Sequence, residues 1–390
     1  MEYVKLKDVF SIKKGKKVEQ VEKSENTIRY IQIDDLRNND NIKYCEKNER
    51  YVYAQERDII IAWDGANAGT IGYGLNGAIG STLALLTKND DRFCTEYCGL
   101  FLKSKFKYLR DKCTGATIPH ISKSSLEELE IPLISKEEQL KIINIINLSK
   151  NLLDKKKDQI NLLDELVKSR FVEMFGDPVK NVMQWEKILC KEVTLKIGSG
   201  ATPKGGNSSY KDEGISLIRS MNVYNNNFVE DNLAYIDDEQ AEKLKNVEVK
   251  RNDVLLNITG ASVARCCIVP PKYIPARVNQ HVSILRCEDT KILPIFLCYQ
   301  FTNENYQRLL WEIATNGGAT REAITKQQIE NLEVIIPPIE LQNQFADFVT
   351  QVDKLKFTYK LNYMSKINNI YSILGLKMYK TFNFNKKTYL

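Results

Sequence analysis

The chain has 390 residues, of which 43% are hydrophobic and 27% charged, and its formal net charge is +6, so it has room for two or three domains of ordinary soluble composition. It contains no apolar run of the about 20 residues that span a bilayer, and its first residues lack the apolar core of a signal peptide, so we expect a cytoplasmic protein. Nine cysteines without a Cys-x-x-Cys pair, and only two histidines, disfavour a disulfide framework and a zinc site, so reduced thiols and no metal or other cofactor are expected.

Residues 1–135 form the first predicted domain, a lobe of mixed α/β structure. Short β-rich runs alternate with turns rich in Gly, Asn and Asp, and one stretch has the apolar spacing of a helix. The predicted segments are strands at 28–33, 58–62, 83–86 and 129–134 and a helix at 95–109. Near its start the lobe carries the basic cluster Lys13-Lys14-Gly15-Lys16-Lys17, which is either a solvated face or a nucleic-acid contact.

Residues 136–177 are predicted to form one long central helix. Ser135 and Glu138 have the spacing of a capping box, and no Gly or Pro follows until Gly176. Apolar residues recur every seven positions, as in a coiled-coil seam, at Ile146, Leu153, Ile160, Val167 and Met174. About 40 residues at 1.5 Å per residue would make a rod of roughly 60 Å.

Residues 178–338 are predicted to form a second lobe, and residues 339–378 a second long helix. The lobe has strand-like runs at 215–218, 253–258 and 278–285 and a helical stretch at 294–311. The second helix carries an apolar stripe whose natural partner is the first long helix, so we expect the two to pair antiparallel. The chain ends in a lysine-containing tail at 379–390, part of a stretch after Asp353 with eight lysines and no acid.

The two lobes repeat the same sequence pattern. One set of matches has a constant offset of 203 residues and pairs Gly115-Ala116-Thr117 with Gly318-Ala319-Thr320, Ile121-Ser122-Lys123 with Ile324-Thr325-Lys326, Leu129-Glu130 with Leu332-Glu333, and Gln139 with Gln342. Another match, at an offset of 195, pairs Gly65-Ala66 with Gly260-Ala261. Such a period is too long for a solenoid repeat. It indicates a duplicated domain-plus-helix, and two similar lobes suit a target with two similar halves.

The sequence contains no convincing catalytic constellation. The glycine-rich segment at 200–206 lacks the Lys-Ser/Thr ending of a phosphate loop, and Pro203 removes an amide donor. Glu248 and Lys250, with Asp238 upstream, form only a loose nuclease-like pattern. Two histidines and no metal spacing leave acid–base or metal catalysis little to work with. The sequence therefore favours a binding protein.

Three features resemble the DNA-recognition (specificity) subunit of type I restriction–modification enzymes. The first is the string at 198–203 followed by the strand-like run 215–219, and the second is the Gly-Ala-Thr-x-x-x-Ile-Ser/Thr-Lys segment in both halves. The third is the strand-to-helix junction at 131–139 and again at 335–342. The resemblance covers essentially the whole chain, and the doubled order of the motifs is more specific than any one motif.

The resemblance implies an α+β protein of two similar mixed α/β target-recognition domains, separated by two long antiparallel coiled-coil helices in a pseudo-twofold arrangement. Each domain would read one half of a split site in double-stranded DNA. The helices would dock two methyltransferase subunits, to which restriction (translocase) subunits are added, and the chain itself would be non-catalytic. The lobes differ, with Ile118-Pro119-His120 in one and Arg321-Glu322-Ala323 in the other, which predicts an asymmetric site. A coiled-coil scaffold with protein-binding lobes and a stand-alone nuclease remain the alternatives.

Candidate DNA contacts follow from residue type and loop position. Lysines suit phosphates, and arginine or asparagine suits the edges of guanine or adenine. The candidates for phosphate are Lys13, Lys14, Lys16, Lys17, Lys123 and Lys326, and those for base edges are Arg219, Asn222, Arg265, Arg277 and Arg321. The loop residues Thr117, Thr202, Lys204 and Thr320 complete the set. The glycines and threonines of the repeated segment have a plain alternative role, which is to build the turn before the last strand of each lobe.

Overall fold

The computed structural model describes residues 2–115, 117–316 and 322–373, with side chains up to residue 359. The chain divides into two compact units, of which the first contains Met1–Lys156 and the second is Lys157–Lys360. None of the described helices combines the length and the apolar character needed to cross a membrane.

The first lobe contains short strands and short helices. Its strands are β1 (Glu2–Lys5), β2 (Phe10–Lys14), β3 (Thr27–Ile31), β4 (Lys43–Glu46), β5 (Tyr53–Ala54), β6 (Ile59–Ala62), β7 (Ile71–Tyr73), β8 (Gly77–Ile79), β9 (Leu83–Lys88) and β10 (Glu130–Leu133). Its helices are α1 (Leu6–Val9), α2 (Thr95–Ser104), α3 (Phe106–Asp111) and α4 (Lys123–Glu127). The long helix α5 (Lys136–Phe175) follows.

The second lobe repeats the order of the strands that form the two larger sheets, and it adds a small hairpin and one short helix. Its strands are β11 (Glu186–Leu189), β12 (Thr194–Ser199), β13 (Ile215–Ile218), β14 (Val223–Tyr224), β15 (Asn227–Phe228), β16 (Ala234–Ile236), β17 (Glu248–Val249), β18 (Val254–Asn257), β19 (Cys266–Ile268), β20 (Ala276–Val278), β21 (Val282–Cys287) and β22 (Glu333–Ile336). Its helices are α6 (Asp238–Lys243), α7 (Pro294–Phe301), α8 (Glu304–Thr315) and α9 (Lys326–Glu330). The second long helix is α10 (Ile339–Ile373).

The two lobes share one sheet topology, which confirms the predicted duplication. In the first lobe one sheet has the strand order β2-β9-β6-β7 and the other β4-β3-β8-β5, and β1 pairs with β10. In the second lobe the corresponding orders are β12-β21-β18-β19 and β16-β13-β20-β17, and β11 pairs with β22. The strand pairs are antiparallel except β3 with β8 and β13 with β20, which are parallel.

The apolar run at 58–62 forms a strand because its two faces enter two different cores. Ile59 and Ile61 pack into the cluster that contains α2, whereas Ile60 and Ala62 pack into the cluster on the other side. Alternate side chains of a strand point to opposite faces, so a strand that is buried on both faces has no polar alternation. Val254 and Leu255 in β18 are divided between two cores in the same way.

Two predicted helices and one predicted strand are each broken in the structure. The helix predicted at 95–109 is interrupted at Lys105, where α2 ends and α3 begins. The helix predicted at 294–311 is interrupted before Asn303, whose side chain accepts hydrogen bonds from the amides of Asn305 (3.0 Å) and Tyr306 (3.4 Å) and so caps α8. The strand predicted at 278–285 contains a turn at 279–281 that separates β20 from β21.

The long helices begin and pair as the sequence predicts in the part where their side chains are described. The Glu138 amide donates to Ser135 Oγ at 3.2 Å and the Ser135 amide to Glu138 Oε2 at 3.3 Å, which is the predicted capping box. Helix α5 ends before Gly176, whose φ is 72°. Near the end of α5, Asp164 Oδ1 lies 2.5 Å from Lys356 Nζ and the Phe171 ring 5.5 Å from that of Phe345. As α5 advances its partners on α10 step backwards, so the two segments are antiparallel.

A buried glutamine joins each long helix to its own lobe. Gln139 Oε1 accepts a hydrogen bond from the Cys94 amide at 2.7 Å, and its Nε2 donates to Arg92 O at 2.8 Å. In the second lobe Gln342 Oε1 accepts from the Leu293 amide at 2.9 Å, and its Nε2 donates to Pro337 O at 2.9 Å. Neither glutamine is exposed. A buried side-chain amide whose donor and acceptor are both hydrogen-bonded fixes the position of the helix against the lobe. This explains why the sequence repeat includes these residues.

Candidate nucleic-acid interface

Four chain segments meet at one end of the sheets in each lobe, and we call this region the loop corner. The first-lobe corner consists of residues 13–17, 64–69, 80–82, and 114–115 with 117–121. Its backbone is held by hydrogen bonds from Gly15 N to Leu83 O (2.8 Å), Trp63 N to Thr82 O (2.8 Å), Gly65 N to Pro119 O (2.9 Å) and Ile121 N to Trp63 O (2.9 Å). The second-lobe corner consists of residues 198–204, 259–265, 279–281 and 322–324. Three of its bonds match those of the first lobe and run from Ile258 N to His281 O (3.0 Å), Gly260 N to Glu322 O (2.9 Å) and Ile324 N to Ile258 O (2.8 Å), whereas the Gly200 amide bonds to Asn279 O (3.1 Å), the equivalent of Gly80.

The first-lobe corner is built around a charged cluster. Asp64 Oδ2 lies 2.7 Å from Lys14 Nζ, and Asp64 Oδ1 lies 2.5 Å from His120 Nδ1. Burial by itself raises the pKa of Asp64, but the hydrogen bonds from Lys14 and His120 outweigh it and leave that pKa below its usual value. The carboxylate is 16% exposed, whereas the Lys14 and His120 side chains are about half exposed. The ammonium group of Lys14 and the imidazole of His120 therefore face solvent, and the ionised carboxylate of Asp64 lies beneath them.

The second-lobe corner has a neutral network in the same place. Thr259 stands where the first lobe has Asp64, and its Oγ1 lies 2.5 Å from His281 Nδ1. Gln280 Nε2 lies 3.2 Å from His281 Nε2, and Gln280 Oε1 accepts a hydrogen bond from Thr202 Oγ1. Gln280 is itself exposed.

One glycine in each corner allows a loop to approach a strand end closely. A Cβ on Gly15 would lie 2.2 Å from Gly80 O, and a Cβ on Gly200 would lie 1.7 Å from Val278 O. The β2–β9 and β12–β21 registers make these two glycines equivalent. The lysines of the cluster at 13–17 therefore occupy the positions that Gly198, Ser199, Ala201 and Thr202 hold in the second lobe.

The lysines predicted to bind phosphate are exposed. Lys13, Lys14, Lys16 and Lys17 lie on the strand end and loop that enter the first-lobe corner. Lys123 and Lys326 are the first residues of α4 and α9, are about 60% exposed, and each lies 3.5 Å from the glutamate four residues on. Thr117 is exposed in the first-lobe corner, and Thr202 and Lys204 belong to the glycine-rich loop of the second. Thr320 and Arg321 lie outside the described residues.

Two predicted base contacts, Asn222 and Arg277, are buried, so their donors are not available to DNA. Asn222 is completely buried and accepts a hydrogen bond from the Arg219 amide at 3.1 Å. Asp35 makes the equivalent bond with the Gln32 amide in the first lobe, which marks the position as a turn cap. Arg277 is 8% exposed, and its Nε donates to Ala241 O at 3.1 Å. Residue type suggested readout at both positions, but the side chains are bonded within the fold.

Two further predicted base contacts, Arg265 and Arg219, stack on tyrosines. The Arg265 guanidinium lies 4.4 Å from the ring centre of Tyr224, which is 40% exposed. The Arg219 guanidinium lies 5.3 Å from the ring centre of Tyr210 and donates to Asn232 O. Stacking orients a guanidinium, and Arg265 belongs to the corner loop itself. Of these two arginines, Arg265 is the better placed for DNA.

Sequence reasoning missed the residues that differ most between the corners. Asp64 and Thr259 directly precede the repeated Gly-Ala pair, and the two histidines of the chain, His120 and His281, each lie in a corner. From the sequence alone, the histidines are candidates only for metal binding or acid–base catalysis, and His120 belongs to one of the segments that differ between the lobes. The signal available in the sequence was that Asp64, Thr259 and the two histidines lie next to or within repeated motifs.

The described residues contain no cluster of three or more His, Cys, Asp or Glu side chains that could hold a metal ion. Glu248, part of the loose nuclease-like pattern, lies 3.8 Å from the buried Arg277. Lys250 donates its backbone amide to Asp253 Oδ2 at 2.7 Å. Glu248 and Lys250 therefore take part in contacts that stabilise the edge of a sheet.

The sequence of almost the whole chain matches one family model and several known proteins. A family model described as "Type I restriction modification DNA specificity domain" matches residues 1–162 and again 183–367. The MjaVIII type I restriction enzyme specificity subunit of Methanocaldococcus jannaschii is 26% identical over 371 residues, which are 91% of this chain and 86% of that protein. The EcoBI specificity subunit of Escherichia coli is 20% identical over 362 residues, 86% of this chain and 74% of that protein.

Two solved structures have a similar fold. A chain from a study of assembly and conformational transition of the type I restriction–modification system aligns with a TM-score of 0.58, at 16% identity, over 98% of this chain and 97% of that one. The S subunit of the M. genitalium type I system aligns with a TM-score of 0.52, at 16% identity, over 96% and 94% of the two chains.

Proposed function

This chain belongs to the family of type I restriction–modification DNA specificity subunits, and on that premise we propose that each lobe reads one half of a split DNA site through its loop corner. Membership makes the chain a non-catalytic subunit that recognises a DNA sequence and directs the complex to it. The observation that supports the proposal for the corners is that the two lobes repeat one backbone arrangement with different side chains at its tip.

The corners are unlike enough to read different bases. The first offers lysines and an imidazole around Asp64, and the second offers the amide of Gln280 and the stacked guanidinium of Arg265. Glutamine pairs with adenine and arginine with guanine through two hydrogen bonds each. Lysines on the first corner suit phosphates, which fix the position of the protein on DNA without reading sequence. The target is therefore a split site with two unlike halves.

The long helices offer a surface for methyltransferase subunits. In the second unit, α5 exposes Leu162 (68%) and Leu166 (48%), and α10 exposes Leu355 (50%) and Phe357 (61%). Exposed apolar groups of this size on a helix pair are a partner-binding feature. Specificity subunits assemble with methyltransferase and restriction subunits and bind DNA, and we assign two methyltransferase subunits to this chain because its domain-plus-helix unit occurs twice.

The proposal is tested by co-expressing the chain with the methyltransferase subunit of its own system and mapping adenine methylation on a random DNA library. The expected result is one split, asymmetric motif with a fixed gap. A stable complex with an active methyltransferase that methylates no defined motif would contradict the proposal and favour the scaffold alternative.

Replacing Gln280 with alanine should weaken recognition of the second half-site alone. Loss of one bidentate base contact costs about 1–3 kcal/mol, so the motif should become degenerate at one or two positions of one half. Gln327→Ala is the matched control, because Gln327 is exposed in the same lobe but lies on α9. Methylation mapping of both variants gives the readout, and equal relaxation of the two halves would count against separate reading by the lobes.

A further inference from the structure

We propose that helix α3 of the first lobe, together with Lys112 directly after it, is a second DNA-backbone contact, which extends the first-lobe corner and adds to the salt-dependent affinity of this lobe. The inference rests on the proposed function, because it assumes that the corner faces DNA. Its partner is the phosphate backbone of the duplex, and its residues are Lys107 and Lys112, with the aromatic rings of Phe106 and Tyr108 beside them.

The segment that contains α3 is strongly basic. Residues 103–112 include five cationic residues, Lys103, Lys105, Lys107, Arg110 and Lys112, and one acidic residue, Asp111. The ammonium groups of Lys103 and Lys105 lie over aromatic rings of the protein, at 4.5 Å from the ring centre of Tyr73 and 5.2 Å from that of Phe101. These two lysines make the local electrostatic potential more positive, whereas the side chains of Lys107 and Lys112 are exposed to solvent.

The packing of α3 directs its basic and aromatic residues to solvent. Leu109 is 1% exposed and anchors the helix in the core. Lys107 lies within α3 and Lys112 directly follows its last residue, and both lysines are exposed. Phe106 and Tyr108 are 43% and 40% exposed. Neither lysine forms an ion pair within the described part of the chain, unlike Lys123, which lies beside Glu127. Unpaired exposed cations are the groups that release counterions when they meet phosphate.

Direct contacts make α3 continuous with the first-lobe corner. Arg110 Nη1 donates to Ala66 O at 2.7 Å, and the Phe106 ring covers Gly69 so closely that a Cβ there would lie 3.4 Å away. Ala66 and Gly69 belong to the same loop as Asp64, which binds Lys14. The helix therefore packs on the loop that carries the charged cluster, and the lysines of both belong to one surface.

Within the described part of the second lobe, the helix at the equivalent position does not carry this charge. This helix, α8, contains one cation, Arg308, and two carboxylates, Glu304 and Glu312. The guanidinium of Arg308 lies 3.4 Å from Asn305 Oδ1. The glycine-rich loop of the second corner also replaces the lysines found at 13–17. Two independent elements thus differ in the same direction, so the lobes are electrostatically unequal.

The test measures DNA binding by the chain assembled with its methyltransferase subunits as the salt concentration is varied. The probes are a duplex that carries the motif found by methylation mapping and a random duplex of equal length. For Lys107→Ala with Lys112→Ala, the slope of log affinity against log salt should become shallower by about 2, since each phosphate contact contributes about 1. Affinity for both duplexes should fall together, with the methylated motif unchanged.

The matched control is Lys5→Ala with Lys7→Ala, which removes the same charge from the same lobe at lysines already paired with Glu128. Its slope should equal that of the unmodified complex, and Lys107→Arg with Lys112→Arg should also preserve the slope if charge is what matters. An unchanged slope for the alanine pair, in a complex that still binds and methylates its motif, would overturn this inference alone. Absence of salt-dependent DNA binding by the unmodified complex would overturn the proposed function as well.

Discussion

Replacing Gly200 with alanine should abolish reading of the second half-site while the first half-site is still read. The added Cβ would lie 1.7 Å from the carbonyl oxygen of Val278 and 2.7 Å from its carbon, and both are backbone atoms that cannot rotate away. The glycine-rich loop must then move off the strand, and Thr202 moves with it, away from Gln280 in the turn after β20. Since each lost base contact costs about 1–3 kcal/mol, affinity for the complete site should fall about 100-fold or more.

Gly198→Ala is the control for this substitution, because Gly198 lies two residues earlier on the same strand and a Cβ there has no neighbour within 4 Å. Its methylation pattern and affinity should match the unmodified complex. Gly15→Ala should have the opposite selectivity. Reading of the first half-site should be lost, and the second half-site should still be read. Equal effects of Gly198→Ala and Gly200→Ala would show that the close approach does not matter for recognition.

Replacing Phe345 with alanine should destabilise the second unit by about 3–5 kcal/mol, the usual cost of removing a buried phenylalanine. The Phe345 ring is completely buried and lies 5.5 Å from Phe171, 5.7 Å from Phe175 and 5.2 Å from Tyr299. It therefore joins α10, α5 and the lobe in one aromatic core. The measurement is the free energy of unfolding in denaturant, followed by circular dichroism.

Phe357→Ala removes the same side chain from the same helix at a site that is 61% exposed. Its free energy of unfolding should change by less than about 0.5 kcal/mol, although methyltransferase binding should weaken if the apolar surface of the helices is the docking site. If the two variants lost similar amounts of stability, this would contradict the claim that the aromatic core joins the helices to the lobe.

Much of the architecture could be predicted from the sequence because the signals were local or repeated. The capping box at Ser135 and the stop at Gly176 set the limits of α5 to within two residues of those predicted. The constant offset of 203 residues indicated the shared topology. The breaks at Lys105 and before Asn303 were missed, since neither carries Gly or Pro and an apolar stripe continues across both. The predicted end of the second long helix and the tail at 379–390 extend beyond the described residues.

The candidate site was harder to predict because donor type says nothing about burial. Asn222 and Arg277 have suitable groups for base edges, but the fold bonds both internally. The cluster of Lys14, Asp64 and His120 joins residues more than 100 positions apart, and only the strand order brings them together. Lys13 to Lys17 were identified because consecutive charges are visible without a fold. The basic segment around α3 was missed because its cationic residues are separated by other residues and do not form a consecutive run.

Strand β1 pairs with β10, the last strand of the first lobe, just as β11 pairs with β22. During synthesis, the first lobe therefore has every strand it needs once Leu133 has left the ribosome, before any strand of the second lobe has been made. Domains generally fold as units from the N-terminus onwards. The order of synthesis thus protects two lobes of identical topology from exchanging strands, and a refolding chain released from denaturant lacks that protection.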